Sequence, residues 1–149
     1  MTAYRAIALL LACVCGTILA CGDNQATPAG PTSPTPGLEK SGESRRGLYR
    51  VSLRPAEGEI PIGRIHDWIV SLEDLDGRPV EPTALSVDGG MPQHGHGFVT
   101  APRVTRKLAP GTFLVEGVKF HMAGTWTLNL GISAAAGRDV MGLTVEVGP

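Results

Sequence analysis

Between residues 47 and 149 apolar side chains recur at every second position, in short runs cut by glycine and proline, and no window holds a helical repeat over three turns. A period of two sends successive side chains to opposite faces of an extended backbone, so this stretch is restricted to half-buried strands. In "LYRVSLRP", Tyr49, Val51 and Leu53 oppose Leu48, Arg50 and Ser52. In "RIHDWIVSLEDLDGRPV", His66, Trp68, Val70 and Leu72 oppose Ile65, Asp67, Ile69 and Ser71, and the polar "DLDG" then reads as a turn. "TALSVDGGM" supplies another strand, and "RVTRKLAPGTFLVEGVKF" two more around the turn "APGT". "GTWTLNLGISAAAG" and "RDVMGLTVEVGP" complete the set, the last with Met141, Leu143 and Val145 on one side.

About seven short strands with turn signals between them predict an all-β fold, an immunoglobulin-like antiparallel β-sandwich. All three cysteines, Cys13, Cys15 and Cys21, precede the stretch, so it has no thiol for a disulfide or a metal. Packing around Trp68, Trp126, Phe113 and Phe120 must therefore hold the sheets together, with Trp126 closing one end of the core. No internal repeat is visible.

The first residues have a different character. "MTAYRAIALLLACVCGTILACG" carries one early positive charge, Arg5, and then an apolar and small-residue run over residues 6–20. That run is shorter than the roughly 20 residues a spanning helix needs and has the length of a signal-peptide core. It ends in "ILAC", which resembles the bacterial lipobox, so residues 1–20 are expected to be a lipoprotein signal peptide and Cys21 the lipidated first residue of the mature chain. "LLAC" at residues 10–13 has the same form, but cleavage there leaves too short an apolar core. Residues 21–46, rich in proline, glycine, serine and threonine, lack core-forming residues and read as a disordered tether between the anchor and a domain at residues 47–149. More than one acyl chain is needed for stable attachment to a membrane. Gly22, where inner-membrane retention favours aspartate, points to the outer membrane, with the domain facing the periplasm. The chain has 13 Lys and Arg, one of which leaves with the signal, against 14 Asp and Glu. No basic patch calls for nucleic acid, and no polybasic segment calls for an anionic lipid surface.

Chemistry-bearing residues gather in "GGMPQHGHGFVT" (residues 89–100) and "FHMAG" (residues 120–124). In an extended segment His94 and His96 project to one side, so a metal ion can reach both, and Met91 can approach over the Pro92 turn. With Phe120 in the core, His121 is expected to face outward and Met122 inward; the two donate to one site only where the strand bends, as Ala123-Gly124 allows. Imidazole accepts either oxidation state of copper and thioether favours Cu(I), whereas zinc is satisfied by three histidines and a water. The other reading also stays open here: histidines among glycines can hydrogen-bond backbone in a purely structural loop. His66 reads as a strand residue at the sandwich rim. No enzyme is predicted, because no nucleophile and base stand at a workable spacing, and the carboxylates of "EGE" and "EDLD" fit turns and solvent. The H-x-H resembles the first cupin motif, but Val99, Thr100, Ala101 and Pro102 stand where that motif carries glutamate.

"HDWIVSLEDLDGRPV" together with "VDGGMPQHGHGFVTAPRVTRKLAPGTFLVEGVKFHMAGTWTL" resembles the YtkA-like domain, related to FixH-like proteins and found in exported and membrane-attached bacterial proteins. The resemblance covers about residues 47–147, and its most specific parts are "MPQHGHG" followed by "FHMAGTW". It implies an immunoglobulin-like sandwich, in agreement with the strand count. FixH-type relatives take part in copper handling for oxidase assembly, so the resemblance implies copper as the cofactor and Met91, His94, His96, His121 and Met122 as its ligands. FixH itself is similar to a membrane-spanning protein, and no segment here reaches spanning length. Two functions follow as expectations: a lipid-anchored envelope module that binds copper, or a metal-free module that docks on another envelope protein.

Overall fold

The computed structural model describes residues 37–148. Nine strands occur there: β1 (Lys40–Glu43), β2 (Arg50–Pro55), β3 (His66–Glu73), β4 (Ala84–Met91), β5 (His96–Gly97), β6 (Arg103–Ala109), β7 (Thr112–Val118), β8 (Gly124–Ala134) and β9 (Gly137–Val147). A five-stranded sheet has the order β1-β2-β3-β7-β6, and a four-stranded sheet the order β5-β4-β8-β9. Every strand pair is antiparallel. The molecule is thus an all-β sandwich, and the seven longer strands are those the alternation predicts. Among the described residues no helix is long and apolar enough to cross a membrane. The residues read as a signal peptide, Cys21 and most of those read as a tether lie outside the described residues.

The period of two is visible in burial. Along β3, His66, Trp68, Val70 and Leu72 are buried, and along β9 so are Asp139, Met141, Leu143, Val145 and Val147. The apolar side chains among these meet those of Tyr49, Val51, Leu53, Leu128, Leu130 and Ile132 in one core between the sheets, where each large apolar side chain contributes roughly 1.5–3 kcal/mol on leaving water. Trp68, Trp126 and Phe120 are fully enclosed, as expected. Phe113 is buried but lies outside that main cluster.

Two strands depart from the sequence reading. β1 lies inside residues 21–46, and its first residue pairs with Leu53, so the ordered structure begins before residue 47. The segment "KSGE" has no apolar residue to signal this; it is held by backbone pairing and by a buried polar knot at its end. Ser44 Oγ donates to Asp139 Oδ2 at 2.6 Å, and the amides of Arg46 and Val140 donate to the same carboxylate. Tyr49 Oη reaches the Gly137 carbonyl at 2.6 Å, fastening the β1–β2 connection to the start of β9. β5 is only two residues long and folds back on the end of β4.

A bulge sets up the other end of the sandwich. His66 pairs with Val118 and Trp68 with Val115, so β7 spends one residue more than β3 there. Gly117 absorbs it at φ 89°, a left-handed backbone that glycine tolerates best. Without that extra residue, Val118 and Phe120 would not both face inward, as they do.

Candidate functional site

The segment after β4 is a hairpin. Pro92–His94 form one 3-10 turn with proline at its start, Gly95 closes it in the left-handed region at φ 64°, and His96 then pairs with Met91. Gly89 and Gly90 make the fold-back possible: a β-carbon on Gly90 would strike the His96 carbonyl oxygen, and one on Gly89 would lie 2.6 Å from the Phe98 ring. The segment after β7 bends at Met122–Ala123 and enters β8 through Gly124 at φ 131°. Both segments stand at the same end of the molecule.

Three of the five residues read as ligands come together. The His94 and His96 rings are 6.1 Å apart, and the His96 and His121 rings 5.7 Å apart, although His121 comes from a segment distant in sequence. Met91 is not with them: its side chain is 1% exposed, in the core, with its methyl group 2.6 Å from where a Gly124 β-carbon would be. The thioether lies under the hairpin, because the alternation that aims Val87 inward also aims Met91 inward.

The orientations of His121 and Met122 differ from expectation. Met122 is 36% exposed, while His121 packs edge-on against Trp126, ring centroids 5.0 Å apart and planes at 86°. The bend at Met122–Ala123 breaks the alternation, and the Met122 carbonyl turns inward to accept the Trp126 Nε1–H at 3.1 Å. The Nδ1 of His121 is buried with no hydrogen-bond partner. A buried polar atom left this way costs free energy unless something supplies a partner.

Whether this set suits an ion is a question of spacing and donors. Two imidazoles that share one ion at about 2 Å from each nitrogen have centroids roughly 5–6.5 Å apart, and both observed spacings fall in that range. Among the described residues, however, no three His, Cys, Asp or Glu side chains already converge on one point. His94 and His96 are both exposed.

One neighbour of the site escapes the sequence pattern, and one residue read at the rim lies inside, in phase with Trp68, Val70 and Leu72. Phe98 stacks on Trp126 at 5.6 Å with planes 10° apart, and its only trace in the sequence is one aromatic residue in a glycine-rich loop. His66 is 7% exposed, its ring 5.3 Å from Phe120, so it belongs to the interior and not to the rim. Burial pushes its pKa below 6.5, opposed by a hydrogen bond with the Arg64 carbonyl and by nearby Asp67 and Glu57.

A family model described as YtkA-like matches residues 43–131. No curated protein and no solved structure matches the chain. The matched span runs from the end of β1 into β8 and contains both histidine segments as well as the turn and bend that bring them together. The chain belongs to the YtkA-like family.

Proposed function

We propose that this YtkA-like sandwich is a lipid-anchored module of the cell envelope, exported by residues 1–20, held at the outer membrane through Cys21, and binding copper at its histidine end. His94, His96 and His121 supply imidazole, and exposed Met122 supplies a thioether that favours Cu(I). Met91 is left to packing, and no catalytic step is assigned. The observation that carries the reading is the approach of His96 to His121 at 5.7 Å, with the His121 Nδ1 buried and unpartnered.

The test is a titration of the full chain with Cu(I) and Cu(II), in detergent, with Cys13, Cys15 and Cys21 changed to serine so that no thiol competes. The expected result is one copper per chain, with binding lost in His94→Ala/His96→Ala and weakened in His121→Ala. Equal affinity in the parent and the double variant would remove the copper reading.

One observation favours the second reading, a metal-free module that docks on another envelope protein. Four large apolar side chains at or near this end are exposed: Ile62, Ile65, Val99 and Met122. Ile62 bridges to Phe120, Ile65 precedes His66, and Val99 follows Phe98. The docking reading predicts no copper uptake and a loss of thermal stability alone in the double variant.

A further inference from the structure

Trp126 is fully buried in β8, and its alternation with Leu128 and Leu130 explains why it points inward. Core packing does not explain where its contacts go. Besides meeting the core ring of Phe120, 5.2 Å away, Trp126 donates its Nε1–H to the carbonyl of Met122, meets His121 edge-on, and stacks on Phe98. Phe98 follows His96 and Gly97 directly, and its own amide donates to the Gly89 carbonyl at 3.1 Å. One rigid side chain therefore touches both segments that carry the histidines. Trp68 offers a comparison within the same molecule. It is equally buried, its Nε1 has no partner, and its ring neighbours are His66 and Phe120.

We propose that Trp126 is a positioning residue that fixes the hairpin at residues 92–98 against the segment at residues 120–122 and so sets the separation of His96 from His121. Its functional meaning rests on the copper reading, but the positioning is a property of the metal-free protein. An indole has only two side-chain torsions, so the four contacts made to it leave the two segments little relative freedom. Holding donor groups near their bound arrangement lowers what must be ordered on binding, which is how groups behind the ligands influence metal affinity.

The test compares Trp126→Phe with Trp68→Phe in the thiol-free full chain in detergent. In metal-free protein, hydrogen exchange at residues 92–98 and 119–123 is expected to rise together in Trp126→Phe, whereas in Trp68→Phe, whose ring meets Phe120 but not the hairpin, exchange at residues 92–98 is expected to stay at the parent rate. Unchanged exchange in Trp126→Phe, or an equal rise at residues 92–98 in both variants, overturns the proposal. Titration with Cu(I) gives the consequence: binding roughly 10–100-fold weaker in Trp126→Phe, a loss that vanishes in a His121→Ala background because Trp126 acts through that segment. A fully additive loss in that background also overturns it. A parent that takes up no copper removes the copper reading, and the exchange measurement still decides the positioning. If Trp126→Phe does not fold, benzothienylalanine at position 126 keeps the bicyclic ring, lacks the N–H, and enters the same comparison.

Discussion

At Gly90 the space for a side chain is taken by the backbone of His96, and at Gly89 by the ring of Phe98 and the carbonyl of Thr127. Neither glycine is needed there for an unusual backbone angle; what each supplies is a bare strand surface for the chain that folds back. Gly90→Ala is expected to push β5 away from β4, costing about 1–3 kcal/mol in urea unfolding as overpacked sites do, and to weaken copper binding by displacing His96. An unchanged unfolding midpoint would contradict this account. The pair "GG" was legible in the sequence only as the end of a strand segment, and its actual neighbours come six to nine residues later and from β8, beyond any local pattern. His121 and Met122 failed for a related reason. Alternation assigns faces only while a strand continues, and the bend at Met122–Ala123 exchanges the two.

Among the elements, β1 shows how a strand can exist without a hydrophobic signature. Its residues contribute backbone pairing with β2 and, at Gly42, room for the methyl group of Met141. The rest of its hold comes from Asp139, a carboxylate on the inward side of β9 that gathers the Ser44 hydroxyl and the amides of Arg46, Leu48 and Val140. Asp139→Ala leaves those donors without their acceptor. The expected outcome is faster hydrogen exchange through residues 40–50, with β3, β7 and β8 unaffected; uniform loss of protection across both sheets would show that the knot serves the whole sandwich instead. The longer strands were legible because half of each is buried against the opposite sheet. β1 and β5 were not, since what holds them is backbone pairing and, for β1, a polar contact between Ser44 and Asp139, 95 residues apart in sequence.

For the molecule as a whole, two buried groups, His66 and Asp139, predict the shape of its stability against pH below neutrality. His66 has its pKa lowered by burial, so below about 6.5 the unfolded chain takes up a proton that the folded one resists, and stability falls as pH drops from there. Burial alone would raise Asp139, but the Ser44 hydroxyl and the three amides outweigh it and hold the carboxyl below 3.8, so a second loss begins under about that pH. Urea midpoints from pH 8 to pH 3 should show both declines, the first absent in His66→Phe and the second in Asp139→Asn; a flat profile between pH 7 and pH 5 would refute the first. The sandwich and its buried tryptophans could be read from alternation alone, whereas the meeting of two histidine segments required the bulge at Gly117 and the bend before Gly124. The hairpin that carries His94 and His96 has one more effect. By pairing β5 with Gly90 and Met91, and the Phe98 amide with Gly89, it caps part of an open sheet border that would otherwise offer free amides and carbonyls to any passing strand. Deleting the loop would remove imidazoles and expose a template for self-association together, so point substitutions separate those two consequences and truncations do not.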